Sequence, residues 1–262
     1  MIKAIFSDVD GTLLSFDTHS VPPSAIKALQ EVHNSGIKII IATGRSFTDL
    51  HEIEDIPYDA VIAMNGSLCS LRNGKRISRQ RIALCDFHKA QQLARSYDFA
   101  LGVETDRCMM VDRLTPAVIE LARLVNHPVP PVGDIEKEFT EGECCKLNFF
   151  CDKRTEQEVM AQLPGLSASR WNPTFADVNV TGTDKGTGIN VFADYYGFDA
   201  SETIAFGDGG NDIPMIRVAG TGVAMGNAPE IVKQAADYVT DAVDEDGIRN
   251  ALEHLGIISV SG

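Results

Sequence analysis

The segment KAIFSDVDGTLL, residues 3–14, determines the fold and the site that we expect of this chain. Its apolar AIF triplet predicts a short buried strand, which Asp8 ends. Asp8 and Asp10 then lie two residues apart before the Gly11 turn, at the carboxyl end of the strand, where open α/β sheets bind ligands. Two carboxylates there repel each other unless one is protonated or a cation lies between them. Mg²⁺ is a hard dication that suits such oxygens.

The composition is that of an acidic globular protein and excludes two classes of partner. The chain has 262 residues, enough for one large domain or two modest ones, and 44% of them are hydrophobic, which predicts a sizeable core. The net charge of −14 argues against nucleic acid and against an anionic membrane surface, because both require a basic face. We therefore expect neither partner, and the sequence leaves the oligomeric state open.

Cysteine usage and the first residues predict a cytoplasmic protein. The six cysteines form no C-x-x-C pair, and reduced thiols are their simplest interpretation. Asp8 and Asp10 interrupt the apolar run that a secretory signal peptide requires, so we expect none. No stretch of the sequence approaches the length of a membrane span.

The first part of the chain alternates predicted strands and helices. After the first strand, the apolar pattern predicts a helix, a strand, a second helix and a third strand, over residues 25–34, 37–42, 46–54 and 60–64. Thr43-Gly44-Arg45 follows the second strand directly, and Asn65-Gly66 forms a turn after the third. This β-α-β-α-β order indicates an α/β fold with a doubly wound, Rossmann-like parallel sheet.

The middle of the chain differs from both ends. Residues 83–182 mix strands and helices, and their number suits a separate α+β domain. The doubly wound pattern resumes around Lys185, and a later apolar strand ends in GDGGND, residues 207–212. We therefore predict a core formed by residues 1–82 and 183–262, into which residues 83–182 are inserted.

Four fragments at strand ends or helix starts resemble the motifs of the haloacid dehalogenase superfamily of phosphohydrolases. The insert resembles the cap domain of the Cof-type branch, which lies between the second and third motifs. The resemblance covers the whole chain and implies a Rossmann-like core with a cap that sets substrate specificity. The four fragments are Asp8-Val9-Asp10-Gly11-Thr12, Thr43-Gly44-Arg45, Lys185 and the segment from Gly207 to Asp212.

The resemblance implies phosphate monoester hydrolysis through an aspartyl-phosphate intermediate. Asp8 would be the nucleophile, and Asp10 would act as general acid and then as general base. Mg²⁺ would be held by Asp8, by the backbone carbonyl of Asp10 and by Asp208. Asp212 would complete the surroundings of the metal.

The resemblance also implies a set of groups that hold the phosphate. Thr43 would supply a hydroxyl and Gly44 a backbone N–H, both at the start of a helix. Lys185 would supply a positive charge, and Thr43 and Lys185 count as catalytic residues too. The implied substrate- and phosphate-binding residues are Val9, Thr43, Gly44, Arg45, Lys185 and Asn211.

The resemblance favours a small-molecule phosphoester substrate, with sugar phosphates such as hexose phosphates first, and leaves alternatives open. A phosphorylated cofactor, pyridoxal phosphate or flavin mononucleotide, is the alternative substrate class. A phosphomutase is disfavoured, because in relatives that activity goes with a cap directly after the first motif and residues 15–23 leave no room for one. A catalytically dead, phosphate-binding regulatory protein is the rival function, and the intact motifs disfavour it. The cap candidates for specificity are Glu104, Arg107, Arg113 and Trp171.

Overall fold

The structure, a computed structural model, describes residues 1–105, 108–125 and 127–260. The chain folds into two compact units. The first unit contains Met1–Ser78 and the chain from Asp184 onward, and the second contains Arg79–Thr183. No helix in the described ranges is long and apolar enough to cross a membrane.

The regular elements alternate along both ends of the chain. In the described ranges the strands are β1 (Ala4–Ser7), β2 (Lys38–Ala42), β3 (Ala60–Ala63), β4 (Leu68–Leu71), β5 (Arg76–Arg79), β6 (Ala100–Glu104), β7 (Met109–Val111), β8 (Lys146–Phe150), β9 (Leu166–Asn172), β10 (Phe175–Val180), β11 (Thr203–Gly207), β12 (Thr221–Ala224) and β13 (Tyr238–Val239). The α-helices are α1 (Pro23–Asn34), α2 (Leu84–Ser96), α3 (Pro116–Leu124), α4 (Ile135–Gly142), α5 (Lys153–Met160), α6 (Lys185–Tyr196), α7 (Ile213–Val218), α8 (Glu230–Lys233) and α9 (Gly247–His254).

The first unit is built on one sheet with the strand order β13-β12-β11-β1-β2-β3-β4-β5. Neighbouring strands from β13 to β3 are parallel, whereas β4 is antiparallel to β3. From β1 the chain adds β2 on one side and, much later, β11 on the other. The strand order thus reverses at β1, and the carboxyl ends of strands at such a point border the crevice where these sheets bind ligands.

Both faces of this sheet are covered. Ala4 and Phe6 of β1 pack with Ile189 and Phe192 of α6 in one buried cluster. Ile5 points to the opposite face and is fully buried as well. Helix α1 packs against β2 and α9. Strands buried on both faces are mostly apolar, and the predicted doubly wound parallel sheet is confirmed.

The second unit is an antiparallel sheet with helices packed on it. Its strand order is β7-β6-β8-β10-β9, and every neighbouring pair is antiparallel. Alternate residues of β6, β8 and β10 meet α2, α4 and α5 in a buried cluster, in which the Phe87 and Phe139 rings stack with centroids 4.2 Å apart. Helix α3 packs in a separate cluster with Phe150 and Phe175. The unit has its own core, as an independently packed module requires.

One predicted helix is absent from its place in the structure. Residues 46–54 form turns and a single 3₁₀ turn at His51–Ile53 instead of an α-helix. The Asp49 N–H donates to the Ser46 carbonyl at 3.2 Å, and the Asp49 carbonyl accepts from the Arg45 guanidinium. The Arg45 side chain therefore occupies a carbonyl that a helix would pair with a later N–H, and local polar contacts replace the helix.

Candidate active site

Three strand ends bring Asp8, Thr43 and Asp208 to one edge of the core sheet. These residues follow β1, β2 and β11, which are parallel neighbours. The Asp8 N–H donates to the Phe206 carbonyl at 3.0 Å, and this bond extends the β1–β11 pairing up to the carboxylate. The Thr43 N–H donates to the Ile62 carbonyl at 2.8 Å on the other side of β2. The rigid sheet therefore fixes the backbone beneath all three side chains.

The loop after β1 turns sharply at Gly11. Its φ is +82°, and a Cβ atom at this position would lie 2.3 Å from Oδ2 of Asp208. Glycine alone fits both the conformation and the approach. The Val9 carbonyl accepts N–H bonds from Leu13 at 2.9 Å and Leu14 at 2.7 Å, while the Val9 side chain is buried in the core. The loop is thus held against the end of β11.

Lys185 is the charged centre of the site and is fully buried. Its Nζ donates to Oδ1 of Asp8 at 2.5 Å and to Oδ1 of Asp212 at 2.6 Å. Lys185 is the first residue of α6, and the side chain of Asp184 caps that helix by accepting the Thr187 N–H at 2.7 Å. The cap fixes the backbone of Lys185 at the start of the helix, so the ammonium has a defined place between the two carboxylates.

Asp212 organises the turn that follows β11. Its Oδ2 accepts the N–H groups of Asp208 at 3.0 Å and Gly209 at 2.8 Å, while Oδ1 accepts from Lys185. A Cβ at Gly207 would lie 2.4 Å from Cβ of Asp212, so this strand end also requires glycine. Both oxygens of Asp212 are engaged, and the side chain orients its neighbours.

Asp208 completes a cluster of acidic oxygens. Asp8, Asp208 and Asp212 can each offer one oxygen, and these atoms all lie within 4.8 Å of one another. Thr12 Oγ1 donates to Oδ1 of Asp208 at 3.3 Å, and Asn227 Nδ2 lies 3.3 Å from Oδ2. Carboxylate oxygens at this spacing form a hard donor set.

The electrostatics of the cluster reflect its excess of negative charge. Burial, followed by the charge of Asp212, raises the pKa of Asp8 well above its ordinary value, although Lys185 acts in the opposite direction. Burial and Asp212 also raise the pKa of Asp208, to about 7. Burial opposes the charge on Lys185, but Asp212 and Asp8 outweigh it and raise the pKa of the ammonium. One lysine cannot neutralise three acids, so a further cation is favoured there.

Arg45 holds the carboxylate of Asp10 in a bidentate ion pair. Its Nε donates to Oδ2 at 2.9 Å and its Nη2 donates to Oδ1 at 2.6 Å. Nη1 donates to Glu52 at 2.9 Å, which anchors the opposite side of the guanidinium. The fork fixes the plane of the carboxylate as well as its position. The guanidinium thus pairs with two carboxylates of the protein, those of Asp10 and Glu52.

Thr43 and Asn211 lie in the loops beside these charges. The Thr43 hydroxyl accepts the Arg45 N–H at 3.1 Å, and the side chain is fully buried. Because residues 46–54 are not helical, Thr43 and Gly44 begin a turn and not a helix, which corrects that expectation. Asn211 Nδ2 donates to Oδ1 of Asn65 at 3.0 Å.

The cap candidates have different environments. Glu104 is buried in the sheet of the second unit, where Lys146 Nζ lies 2.9 Å from its carboxylate. Arg113 pairs with the exposed Asp98 at 2.9 Å. Arg107 and the side chain of Trp171 lie outside the described residues. Burial raises the pKa of Glu104, and its ion pair with Lys146 makes it an internal contact of the second unit.

Several residues of the site were not predicted from the sequence. Asn227 donates to the Gly11 carbonyl at 2.8 Å and so connects the loop after β1 with the loop after β12. Glu52 anchors Arg45, and Asn65 anchors Asn211. The Asn65-Gly66 turn was visible as a turn after a strand, but nothing in the local pattern indicated a partner for its side chain.

Comparison with known proteins identifies the family. Residues 5–252 match the family model of haloacid dehalogenase-like hydrolases. A putative phosphatase of Bacillus subtilis, YkrA, is 33% identical over 261 residues, which cover 98% of each chain. The chain therefore belongs to the haloacid dehalogenase-like hydrolases and is a phosphoric monoester hydrolase.

Solved structures support the same assignment. The phosphatase BT1666 of Bacteroides thetaiotaomicron is 57% identical, with a TM-score of 0.95 over 98% of this chain and 96% of that one. The subclass IIB sugar phosphatase BT4131 is 38% identical, with a TM-score of 0.90 over 98% of this chain and all of the other. The fold of the chain thus agrees with that of phosphatases of this superfamily.

Proposed function

We propose that this protein is a Mg²⁺-dependent phosphatase of small-molecule phosphate monoesters and prefers hexose phosphates. The observation that carries the proposal is the buried Lys185 ammonium between Asp8 and Asp212, beside Asp208. Transfer of a phosphoryl group requires fixed positive charge near its oxygens and a nucleophile in line with the leaving oxygen. A carboxylate at a strand end supplies a candidate nucleophile, and the buried lysine beside it supplies fixed positive charge.

The acidic oxygens fit a small, hard cation. We assign Asp8, the backbone carbonyl of Asp10 and Asp208 as its ligands, because carboxylate and carbonyl oxygens suit Mg²⁺. Asp212, whose two oxygens already accept hydrogen bonds, is assigned to the surroundings that orient Asp208 and Lys185. When bound, Mg²⁺ supplies positive charge to the phosphoryl oxygens.

Asp8 and Asp10 divide the chemistry in our proposal. A carboxylate oxygen of Asp8 attacks phosphorus as the bond to the leaving oxygen breaks, and Asp10 donates its proton to that oxygen. Asp10 then takes a proton from water, which attacks the phosphorus of the aspartyl phosphate. Inorganic phosphate leaves and Asp8 is restored. One carboxyl group therefore serves as acid and then as base.

The phosphate oxygens require hydrogen-bond donors, which the loops after the strands and the start of α6 can supply. We assign this role to the Thr43 hydroxyl, the backbone N–H groups of Val9 and Gly44, and the side chains of Lys185 and Asn211. The pair with Asp10 suggests a different role for Arg45, which is to position the Asp10 carboxylate. Anion binding by backbone N–H groups and one lysine is a recurrent solution for phosphate.

The substrate class rests on similarity and on the inserted unit. BT4131, which is similar over the whole chain, is a sugar phosphatase of subclass IIB. We assign residues 83–182 as the cap that contacts the leaving group and excludes water. Binding energy from the non-reacting part of a substrate can be used in this way to reach the transition state.

Release of inorganic phosphate from a panel of phosphoesters tests the proposal. The panel contains hexose and pentose phosphates, pyridoxal phosphate, flavin mononucleotide and p-nitrophenyl phosphate, and each is assayed with Mg²⁺ and with excess EDTA. We expect hexose phosphates to give the highest kcat/KM and EDTA to abolish turnover. If a cofactor phosphate gives the highest kcat/KM, phosphorylated cofactors replace hexose phosphates as the substrate class. No turnover of any ester, together with binding of inorganic phosphate, would establish the rival regulatory protein.

A further inference from the structure

Three successive residues with positive φ form the turn after β3. The φ angles are +50° at Met64, +54° at Asn65 and +99° at Gly66. Residues other than glycine rarely adopt this region, and asparagine tolerates it better than methionine does. Backbone of this kind persists only where surrounding contacts determine it. Contacts with neighbouring segments must therefore hold this turn in place.

The backbone of the turn is bound to the loop after β2. The Asn65 N–H donates to the Thr43 carbonyl at 3.0 Å, and the Met64 N–H donates to the Arg45 carbonyl at 2.9 Å. Thr43 and Arg45 belong to the second motif of the proposed site. The turn thus fixes the loop that carries the proposed phosphate-binding hydroxyl.

The same turn also contacts the start of α6. A Cβ at Gly66 would lie 2.1 Å from the carbonyl oxygen of Asp184, so the two backbones touch where glycine alone fits. Asp184 caps α6, and Lys185 is the first residue of that helix. The position of the ammonium therefore depends on the turn.

The side chain of Asn65 makes a third connection. It is buried, and its Oδ1 accepts a hydrogen bond from Asn211 Nδ2 at 3.0 Å. Asn211 belongs to the turn after β11 that also contains Asp208 and Asp212. An amide with one N–H bound to Asn65 directs its other N–H to a second acceptor.

We propose that Asn65 is a positioning residue that orients the side-chain amide of Asn211 toward a phosphate oxygen of the substrate. The inference rests on the proposed phosphatase function, because Asn211 contacts phosphate only there. Asn65 itself acts through its partner: its backbone holds the Thr43 loop, and its side chain holds Asn211 at the opposite side of the site. One residue thereby joins the second and the last motif.

A double-mutant cycle tests this role with p-nitrophenyl phosphate as substrate. Asn65→Gly keeps the positive φ and removes the acceptor, Asn211→Ala removes the donor, and the third variant carries both changes. Each single change should lower kcat/KM about tenfold, at the upper end of the contribution of one hydrogen bond. The double variant should also be about tenfold lower, because the second change removes an interaction that is already lost.

Matched variants separate positioning from stability. Asp98→Gly replaces another residue of left-handed conformation, φ +55°, in the second unit, and should leave kcat/KM unchanged. Asn65→Asp keeps an acceptor oxygen, so Asn211→Ala should still cost about tenfold in that background. If Asn65→Gly does not fold, Asn65→Ser takes its place in the cycle, since the shorter side chain does not reach Asn211.

Inorganic phosphate, measured by calorimetry with Mg²⁺, provides a second readout. Its Kd should rise about tenfold in Asn65→Gly and show the same non-additivity with Asn211→Ala. A double variant about a hundredfold lower in kcat/KM than the wild type, or Asn65→Gly with wild-type kcat/KM, would overturn the inference. Absence of turnover in the wild-type protein would overturn the proposed function instead, and the cycle would then be read from phosphate binding alone.

Discussion

The Lys185 ammonium lies 2.5 Å from Oδ1 of Asp8, although both side chains are buried. The same ammonium lies 2.6 Å from Asp212, so two carboxylates share one positive charge. A buried charge without a partner is costly, whereas a pair with good geometry offsets much of the desolvation. This contact therefore links the stability of the core to the proposed chemistry of Asp8.

Replacement of Lys185 by methionine should lower both the stability of the core and the catalytic activity. Asp8 and Asp212 would remain buried without their cation, so we expect a loss of about 3–5 kcal/mol in the free energy of unfolding, measured with urea in EDTA. Turnover should fall below detection. Lys153→Met, at an exposed position of α5, is the matched control and should leave the unfolding curve unchanged. Wild-type stability of Lys185→Met would contradict the shared-charge interpretation.

Asp8→Asn should abolish turnover without unfolding the protein. An amide is a poor nucleophile and a poor metal ligand, and removal of one acid relieves repulsion from Asp212. In EDTA the variant should therefore melt at a higher temperature than the wild type. Asp17→Asn, in the exposed loop after the first motif, is the control for the same chemical change. A kcat of one tenth of the wild-type value or more would exclude Asp8 as the nucleophile.

The metal-free protein should become less stable as the pH rises from about 4 to about 7. Burial and Asp212 raise the pKa of Asp8, and they raise that of Asp208 to about 7. The folded state then keeps protons that the unfolded chain releases near pH 4. Since the folded state binds more protons in this window, the free energy of unfolding falls as the pH rises.

Urea unfolding in EDTA at several pH values measures this dependence. Asp208→Asn should flatten the curve, because its amide does not titrate. Stabilisation by Mg²⁺ should increase over the same window, as the ligands lose their protons. Stability that rises with pH between about 5 and 7 in EDTA would contradict the assignment of raised pKa values.

Local patterns in the sequence predicted the strands and the carboxylate at the end of β1. An apolar triplet followed by an acid and a glycine is a short-range signal, and parallel strands have to be apolar, so the alternation of elements was readable. Contacts between side chains that are distant in the sequence could not be predicted in this way. Arg45 meets Asp10 over 35 residues, and Asn211 meets Asn65 over 146. Periodicity contains no information about such pairs.

In the segment 46–54, the local pattern predicted a helix that the structure does not contain. Its composition permits a helix, but the guanidinium of Arg45 takes the Asp49 carbonyl and the Glu52 carboxylate as partners. These contacts within the loop favour turns at positions where propensity allows either state. Intrinsic propensity is a weak determinant that such contacts override.

Arg45→Lys should lower kcat more than it raises KM. Lysine keeps the charge but loses the fork that fixes the Asp10 carboxylate. We expect kcat for p-nitrophenyl phosphate to fall about tenfold or more, with KM within about twofold. Asp10→Asn is the reference and should slow formation and hydrolysis of the phosphoenzyme in quench-flow experiments. A rise in KM alone would make Arg45 a phosphate ligand, as the sequence first indicated.

The inserted unit should be dispensable for chemistry and necessary for specificity. Residues 80–183 are replaced by a short Gly/Ser linker, which keeps β5 complete and keeps Asp184 as the cap of α6. The proposed catalytic residues all belong to the first unit, whose sheet does not include the deleted strands. Newly exposed apolar surface is a risk, so circular dichroism and gel filtration accompany the assay.

The measurement is the ratio of kcat/KM for the shortened and full-length proteins, determined with p-nitrophenyl phosphate and with the best hexose phosphate. The activated ester needs little help at its leaving group, so its ratio should stay near one. The hexose phosphate relies on contacts with the cap, and its ratio should fall by about a hundredfold or more, since remote binding energy is lost from the transition state. Equal ratios in a folded protein would show that residues 83–182 do not set specificity.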